Sequence, residues 1–81
     1  FMRTWCQREF EAHGLPITWV QSSVSVNLRK GTMRGLHYQS APNEEVKLVR
    51  CTAGAIYDVV VDLRPASATY CQYVGIVLSA D

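Results

Sequence analysis

Residues 47–63, KLVRCTAGAIYDVVVDL, decide the fold class of this chain. The residues on both sides of Ala53-Gly54 are rich in β-branched and aliphatic side chains, and Ala-Gly punctuates a turn between two strands. Asp58 and Asp62 are four residues apart. On a strand, both carboxylates would therefore point to the same face. The segment predicts two strands, 47–52 and 55–63, joined by a tight turn.

Further strand signals lie on both sides of this segment. Residues 17–21, 23–27 and 72–78 are short stretches rich in β-branched or aromatic residues, bounded by Gly, Pro, Asn or Ser. A single helix is predicted at Thr4–His13, where Gly14 could close the last turn. Several short strands at near-regular spacing favour an all-β sandwich or barrel over alternating β and α units.

The composition describes a globular chain. Of the 81 residues, 48% are hydrophobic and 19% are charged, with a formal net charge of +1. Disordered chains are poorer in apolar residues and more lopsided in charge. Basic residues are scattered, with no run longer than Arg29-Lys30. We therefore expect neither nucleic acid nor a membrane surface as a partner.

The three cysteines, Cys6, Cys51 and Cys71, are odd in number and lack C-x-x-C spacing. They sit in apolar periodic segments, which predicts buried, reduced thiols of a cytosolic protein. The sequence has no charged-then-apolar leader and no apolar run of about 18 residues. A soluble, cytoplasmic protein is the expectation.

The size of the chain points to an incomplete domain. A core in 81 residues supplies only a few kcal/mol, so a partner, a staple or more chain is needed. Phe1 opens directly into an apolar segment, and the strand-like residues 74–78 precede Asp81 with no closing element. We expect residues 1–81 to be a single partial domain, truncated at both ends.

A near-match to the metal motif of the cupin barrels runs through the middle of the chain. That motif is a glycine, His-x-His, a glutamate and a glycine. Here its positions hold Gly31, His37, Gln39, Glu44 and Gly54. Gln replaces the second histidine and is a poor ligand for a transition metal. No metal and no other cofactor are expected.

Three side chains between Gly31 and Gly54 carry candidate chemistry. His37 can transfer protons near neutral pH, and Lys47 can stabilise a developing negative charge. Arg34 can bind a phosphate through two parallel hydrogen bonds. Together they indicate chemistry on a phosphorylated substrate. Two alternatives stay open. His37 could be a hydrogen-bonded structural residue, and the two cations could belong to a solvated face paired with carboxylates.

Two aspartates on the predicted 55–63 strand invite different interpretations. Asp58 on a buried strand would need a partner, for which Lys47 or an arginine is the obvious candidate, so Asp58 could orient Lys47. Asp62 stands two residues before Arg64. For this pair we expect a salt bridge that closes a turn.

Several blocks at fixed mutual spacing carry a family resemblance. They are RGLHYQ (34–39), KLVR (47–50), Gly54, DVVVDLR (58–64), S-x-T (67–69) and Leu78-Ser79. With these blocks the chain resembles the first half of a dTDP-4-dehydrorhamnose 3,5-epimerase. The resemblance implies a cupin-like jelly roll that works as a homodimer. It would epimerise a dTDP-linked 4-keto-6-deoxy sugar at carbons 3 and 5, in dTDP-rhamnose biosynthesis, without metal or redox cofactor.

The resemblance also implies roles for single residues. His37 matches the general base that removes the proton next to the keto group, and Lys47 matches the lysine that stabilises the enolate oxygen. Arg34 matches an arginine that contacts the substrate, and Asp58 a strand aspartate near the lysine. The family's general acid, a tyrosine, and the aspartate that pairs with the histidine would lie beyond residue 81.

The resemblance also implies that a second segment, residues 21–23, binds the substrate. Gln21, Ser22 and Ser23 align with a nucleotide-contacting Gln-Asp-Asn segment, of which only the glutamine is retained. This departure motivates an alternative, an enzyme that epimerises one carbon or takes another nucleotide. A further alternative is a non-catalytic cupin that binds a sugar nucleotide.

Overall fold

The computed structural model describes residues 1–81, which divide into two compact units, residues 1–46 and residues 47–81. The first unit contains helix α1, Gln7–Ala12. The second contains strands β1, Ala55–Val61, and β2, Tyr73–Ser79. The structure contains no helix with the length and apolar character of a membrane span.

Helix α1 ends where the sequence predicts and begins later. Gly14, with φ +66°, donates its N–H to the carbonyl of Glu11 at 3.0 Å, and Leu15 donates to Phe10 at 2.9 Å. This pair of bonds is the Schellman motif, which needs a left-handed residue after the helix and so favours glycine. The predicted start at Thr4 is wrong by three residues, because Cys6 has an extended backbone and no side-chain cap.

An aromatic group anchors α1 within the first unit. The Phe10 ring lies 6.0 Å from the ring of Trp5 and 6.3 Å from that of Trp19, the second contact edge to face. Both separations suit the attraction between ring edges and faces. The buried indole Nε1 of Trp19 has no hydrogen-bond partner.

Strands β1 and β2 form a two-stranded antiparallel sheet. In its register Tyr57 faces Val77, Asp58 faces Ile76 and Val59 faces Gly75. Side chains alternate along a strand, so Asp58 shares its face with Ile56 and Val60, and Tyr57 lies on the other face. The predicted strands at 55–63 and 72–78 are confirmed, with β1 ending two residues earlier than expected.

Three other predicted strands are not observed. Residues 17–21, 23–27 and 47–52 have an irregular backbone. Their β-branched composition fits a pleated, half-buried surface, which exists only where a neighbouring strand completes the ladder. Within this chain only β1 and β2 supply that pairing.

The expectation of buried cysteines is also wrong. Cys6 and Cys51 are half-buried and Cys71 is exposed, although all three are free thiols. Cys71 lies in the loop before β2 with φ +62°, and a turn residue of this kind stays at the surface. No side chain of the chain is fully buried, and many large apolar residues are exposed.

Candidate functional site

The Arg34–His37 segment is shaped by Gly35. Its φ of +97° lies in the left-handed region, and a Cβ at this position would stand 3.3 Å from the backbone nitrogen of His37. Glycine therefore allows the chain to turn closely against His37. The imidazole of His37 is exposed and makes no hydrogen bond within the chain. Both interpretations of His37, chemical and structural, therefore stay predictions.

Arg34 makes a contact that leaves its charge unbalanced. Its Nη1 donates a hydrogen bond to the hydroxyl of Ser25. A hydroxyl is neutral, so the guanidinium keeps its full charge toward an anion. The alternative in which Arg34 pairs with a carboxylate is not what the structure contains.

The predicted nucleotide segment lies in the same unit as Arg34. The amide Nε2 of Gln21 donates to the hydroxyl of Ser23 at 3.2 Å, while Ser22 between them is exposed. The local bond holds Gln21 and Ser23 together on the surface. Their carbonyl and hydroxyl oxygens remain open to a ligand, since each can accept a further hydrogen bond.

An open depression lies directly after His37. It has a volume of about 500 Å³ and is lined by Tyr38, Gln39, Ser40 and Asn43. The N–H of Asn43 donates to the carbonyl of Ser40 at 2.9 Å, which closes the loop into a turn. Gln39, which fills a metal-ligand position of the cupin motif, faces this polar hollow.

Lys47 and Asp58, the other two predicted catalytic residues, belong to the second unit. Lys47 is its first residue. Asp58 is half-buried at the centre of β1, opposite Ile76, and its carboxylate has no hydrogen-bond or ion-pair partner. Half-exposure lets water solvate this charge, so a protein partner is not required. That Asp58 orients Lys47 stays a prediction.

The most highly connected polar group in the chain is the carboxylate of Asp62. Arg64 donates to Oδ1 from its backbone nitrogen at 3.0 Å and from Nε at 2.9 Å. Oδ2 accepts from Nη2 of Arg64 at 2.8 Å, and from the hydroxyls of Ser67 and Thr69 at 2.6 Å each. The predicted Asp62–Arg64 salt bridge is confirmed.

These donors favour the ionised carboxylate. They hold the pKa of Asp62 well below its usual range, with the Arg64 side chain the largest cause and the hydroxyls of Ser67 and Thr69 next. The same pairing raises the pKa of Arg64. Hydrogen bonds to the charged form shift an acid in this direction.

The predicted Asp62–Arg64 turn did not include the hydrogen bonds that Ser67 and Thr69 donate to Asp62. The sequence does carry a signal, because two hydroxyl residues two apart follow Asp-Leu-Arg within a loop. Such residues commonly hydrogen-bond to a nearby carboxylate or backbone group. Which hydroxyl reaches which oxygen depends on the path of the loop, which sequence spacing alone does not define.

The whole chain matches isomerases of dTDP-linked sugars. It belongs to the dTDP-4-dehydrorhamnose 3,5-epimerase family, whose sequence profile matches residues 1–81. The resemblance drawn from the sequence blocks is confirmed.

Individual relatives support the family and show how much of it is present. The chain is 45% identical over 82 residues to the dTDP-4-dehydrorhamnose 3,5-epimerase of Shigella flexneri, covering 100% of this chain and 45% of that protein. It is 47% identical over 60 residues to a dTDP-4-dehydrorhamnose 3-epimerase of Streptomyces niveus, covering 74% of this chain and 28% of the relative. The chain spans about half the length of the curated relatives it matches.

A solved structure gives the same answer in three dimensions. The crystal structure of dTDP-4-dehydrorhamnose 3,5-epimerase from Bacillus anthracis, with TDP and PPi bound, superposes with a TM-score of 0.95 at 42% identity. The match covers 99% of this chain and 46% of that one. The matched part of the chain therefore includes its irregular segments as well as the hairpin.

Proposed function

We propose that this chain is the N-terminal half of a cupin-type jelly roll that acts as a dTDP-4-dehydrorhamnose 3,5-epimerase. The observation that carries the proposal is the agreement over the full 81 residues with the family profile and with a TDP-bound epimerase structure. Residues 1–81 would form a partial domain. The whole polypeptide would work as a cytoplasmic homodimer in dTDP-rhamnose biosynthesis.

The reaction would begin with removal of a proton beside a ketone. A neutral imidazole is a suitable base near neutral pH, and the exposed His37 ring has no competing hydrogen bond. The electron pair left on carbon moves to the keto oxygen, which becomes an enolate. Lys47 would stabilise that oxygen through its positive charge. Return of a proton to the opposite face of the carbon inverts the centre.

Binding would use the charged and polar groups of the first unit. The guanidinium of Arg34 is balanced only by a neutral hydroxyl, so it would contact the diphosphate. Gln21, Ser22 and Ser23 would contact the nucleotide, through backbone groups where the family's side chains are not retained. Asp58 would orient the side chain of Lys47. No step needs a metal or a redox cofactor, and Gln39 in place of a histidine agrees with this.

Solvent isotope exchange tests the reaction class. The full-length polypeptide is incubated in D₂O with the 4-keto sugar nucleotide, and deuterium is located by NMR. We expect deuterium at carbons 3 and 5. Exchange at neither carbon, in a folded protein that binds the nucleotide, would leave only a binding module.

Two matched pairs of variants test the roles of His37 and Lys47. His37→Asn and Lys47→Met should each fold and lose turnover by about 10²–10³-fold, as expected when a base or a charge-stabilising group is removed. His13→Asn and Lys30→Met are the controls, because both residues lie at exposed positions in the first unit. Near-normal turnover in Lys47→Met would remove Lys47 from the mechanism.

A single-carbon epimerase is the second candidate. The 3-epimerase of Streptomyces niveus, 47% identical over 60 residues, shows that close relatives include an enzyme named for one carbon. Deuterium at carbon 3 alone would select it.

A further inference from the structure

The loop between β1 and β2, residues 62–72, is held by the single carboxylate of Asp62. Five donors from Arg64, Ser67 and Thr69 converge on its two oxygens. The Asp62 side chain is only 12% exposed, whereas that of Arg64 is 80% exposed. The arginine thus covers the outside of a nearly enclosed anion. One group organises both the start and the middle of the loop.

The same residue also extends the strand pairing. Asp62 donates its N–H to the carbonyl of Gln72 at 2.9 Å and accepts from Cys71 at 2.7 Å. To make that bond Cys71 takes φ +62°, a left-handed conformation that non-glycine residues adopt only when their surroundings impose it. Gln72 in turn donates to Thr69 at 2.9 Å. The Asp62 side chain, through Thr69, therefore stabilises the backbone that aligns β2.

The alignment of β2 matters because the packing of Tyr57 favours one register of the hairpin. The Tyr57 ring lies directly over Gly75, where a Cβ would stand 2.5 Å from its Cζ atom. A slip of one residue would turn the β2 side chains to the other face and put Val74 or Ile76 beneath the ring. Asp58 is next to Tyr57 on β1 and faces Ile76 of β2, so a slip of β2 changes the residue opposite its carboxylate.

We propose that Asp62 is a positioning residue that acts through Asp58. Its carboxylate fixes the 62–72 loop and thereby the β1–β2 register, which keeps Ile76 opposite Asp58 and so fixes the surroundings of the Asp58 carboxylate. The inference rests on the proposed function, in which Asp58 serves the reaction beside Lys47. Asp62 itself is bound to loop donors on both oxygens and is not offered to a substrate.

A double-mutant cycle in the full-length polypeptide tests this. Asp62→Asn keeps the shape and removes the charge that the five donors share. At a temperature where the variant is fully folded, kcat should fall about tenfold, with KM within about twofold, because small misplacements of a reacting group slow the chemical step. In an Asp58→Asn background, Asp62→Asn should lower kcat no further. Equal losses in both backgrounds would overturn the proposal.

A second pair of variants keeps the test decisive if Asp58→Asn has no measurable turnover. Thr69→Val keeps the shape and removes one hydroxyl donor, whereas Thr69→Ser retains it. Thr69→Val should lower kcat about threefold with KM unchanged, and Thr69→Ser should restore wild-type kcat. If the two variants turn over alike and differ only in melting temperature, Asp62 is merely structural. Failure of the proposed function is a separate result, because wild-type protein would then show no exchange at all.

Discussion

Gly75→Ala measures how tightly Tyr57 packs on the hairpin. A Cβ on residue 75 would stand 2.5 Å from Cζ and 3.0 Å from Cε2 of Tyr57. Carbon atoms prefer separations of about 3.5–4.0 Å, so the ring must move by about 1 Å or more. Tyr57 is 66% exposed, so its ring can swing outward, at the loss of its contact with the sheet.

Two opposing effects decide the size of the change. Overpacking of this kind typically costs about 1–3 kcal/mol. Alanine in a strand interior is better than glycine by roughly 0.5–1 kcal/mol. We expect Gly75→Ala to destabilise the protein by about 1 kcal/mol, which is near the middle of the range obtained when the gain from alanine is subtracted from the overpacking cost. In a Tyr57→Ala background the clash is absent, and the same change should stabilise by about 0.5–1 kcal/mol.

Denaturant unfolding of the four proteins of this cycle gives the coupling energy directly. We expect about 1.5–2 kcal/mol between positions 57 and 75, which is well within the range of residues in contact. Melting temperature should fall by about 2–4 °C for Gly75→Ala alone in a protein of 150–250 residues. The reasoning is refuted if Gly75→Ala has the same effect with and without Tyr57.

Two further predictions follow from charged groups. Because its donors hold the pKa of Asp62 well below its usual range, Asp62 adds stability above about pH 4 that is lost as the pH falls further. Asp62→Asn should therefore narrow the difference in unfolding midpoint between pH 7 and pH 3, and an unchanged difference would contradict this. Arg34→Lys should raise KM for the sugar nucleotide about tenfold with kcat nearly unchanged, since lysine cannot make a two-pronged phosphate contact. Steady-state kinetics measure this KM, and an unchanged value would contradict the predicted role of Arg34.

The sequence predicted the hairpin because its signals are local. The alternation in Asp58–Asp62 and the Gly54 turn place β1 within two residues, and Gly14 places the end of α1. These features depend on neighbours in the chain, which a sequence displays. The three missing strands depend on partners elsewhere. Strand propensity in residues 17–27 and 47–52 becomes a strand only when another backbone offers its hydrogen bonds.

The candidate site was predictable in its residue types and less so in its contacts. His37, Arg34 and Lys47 stood out because an imidazole and two cations within 14 residues are informative without any structure. The sequence did not single out the Ser25 hydroxyl that binds Arg34. Nor did it single out the hydroxyls that bind Asp62. Serine and threonine are common in loops, and only the backbone path decides which of them reaches a charged group.

The exposed apolar residues and the unused donor of Trp19 have a common physical origin. Side chains such as Val20 (97% exposed) and Leu28 (93% exposed) stand in water, although each would gain about 1.5–3 kcal/mol from burial. The indole N–H of Trp19 is enclosed without an acceptor, and such a donor costs about 1–3 kcal/mol. Yet the backbone matches 46% of the length of an epimerase crystal structure with a TM-score of 0.95. In the proposed function, further strands of a longer polypeptide would cover these apolar faces and could supply an acceptor for the Trp19 indole.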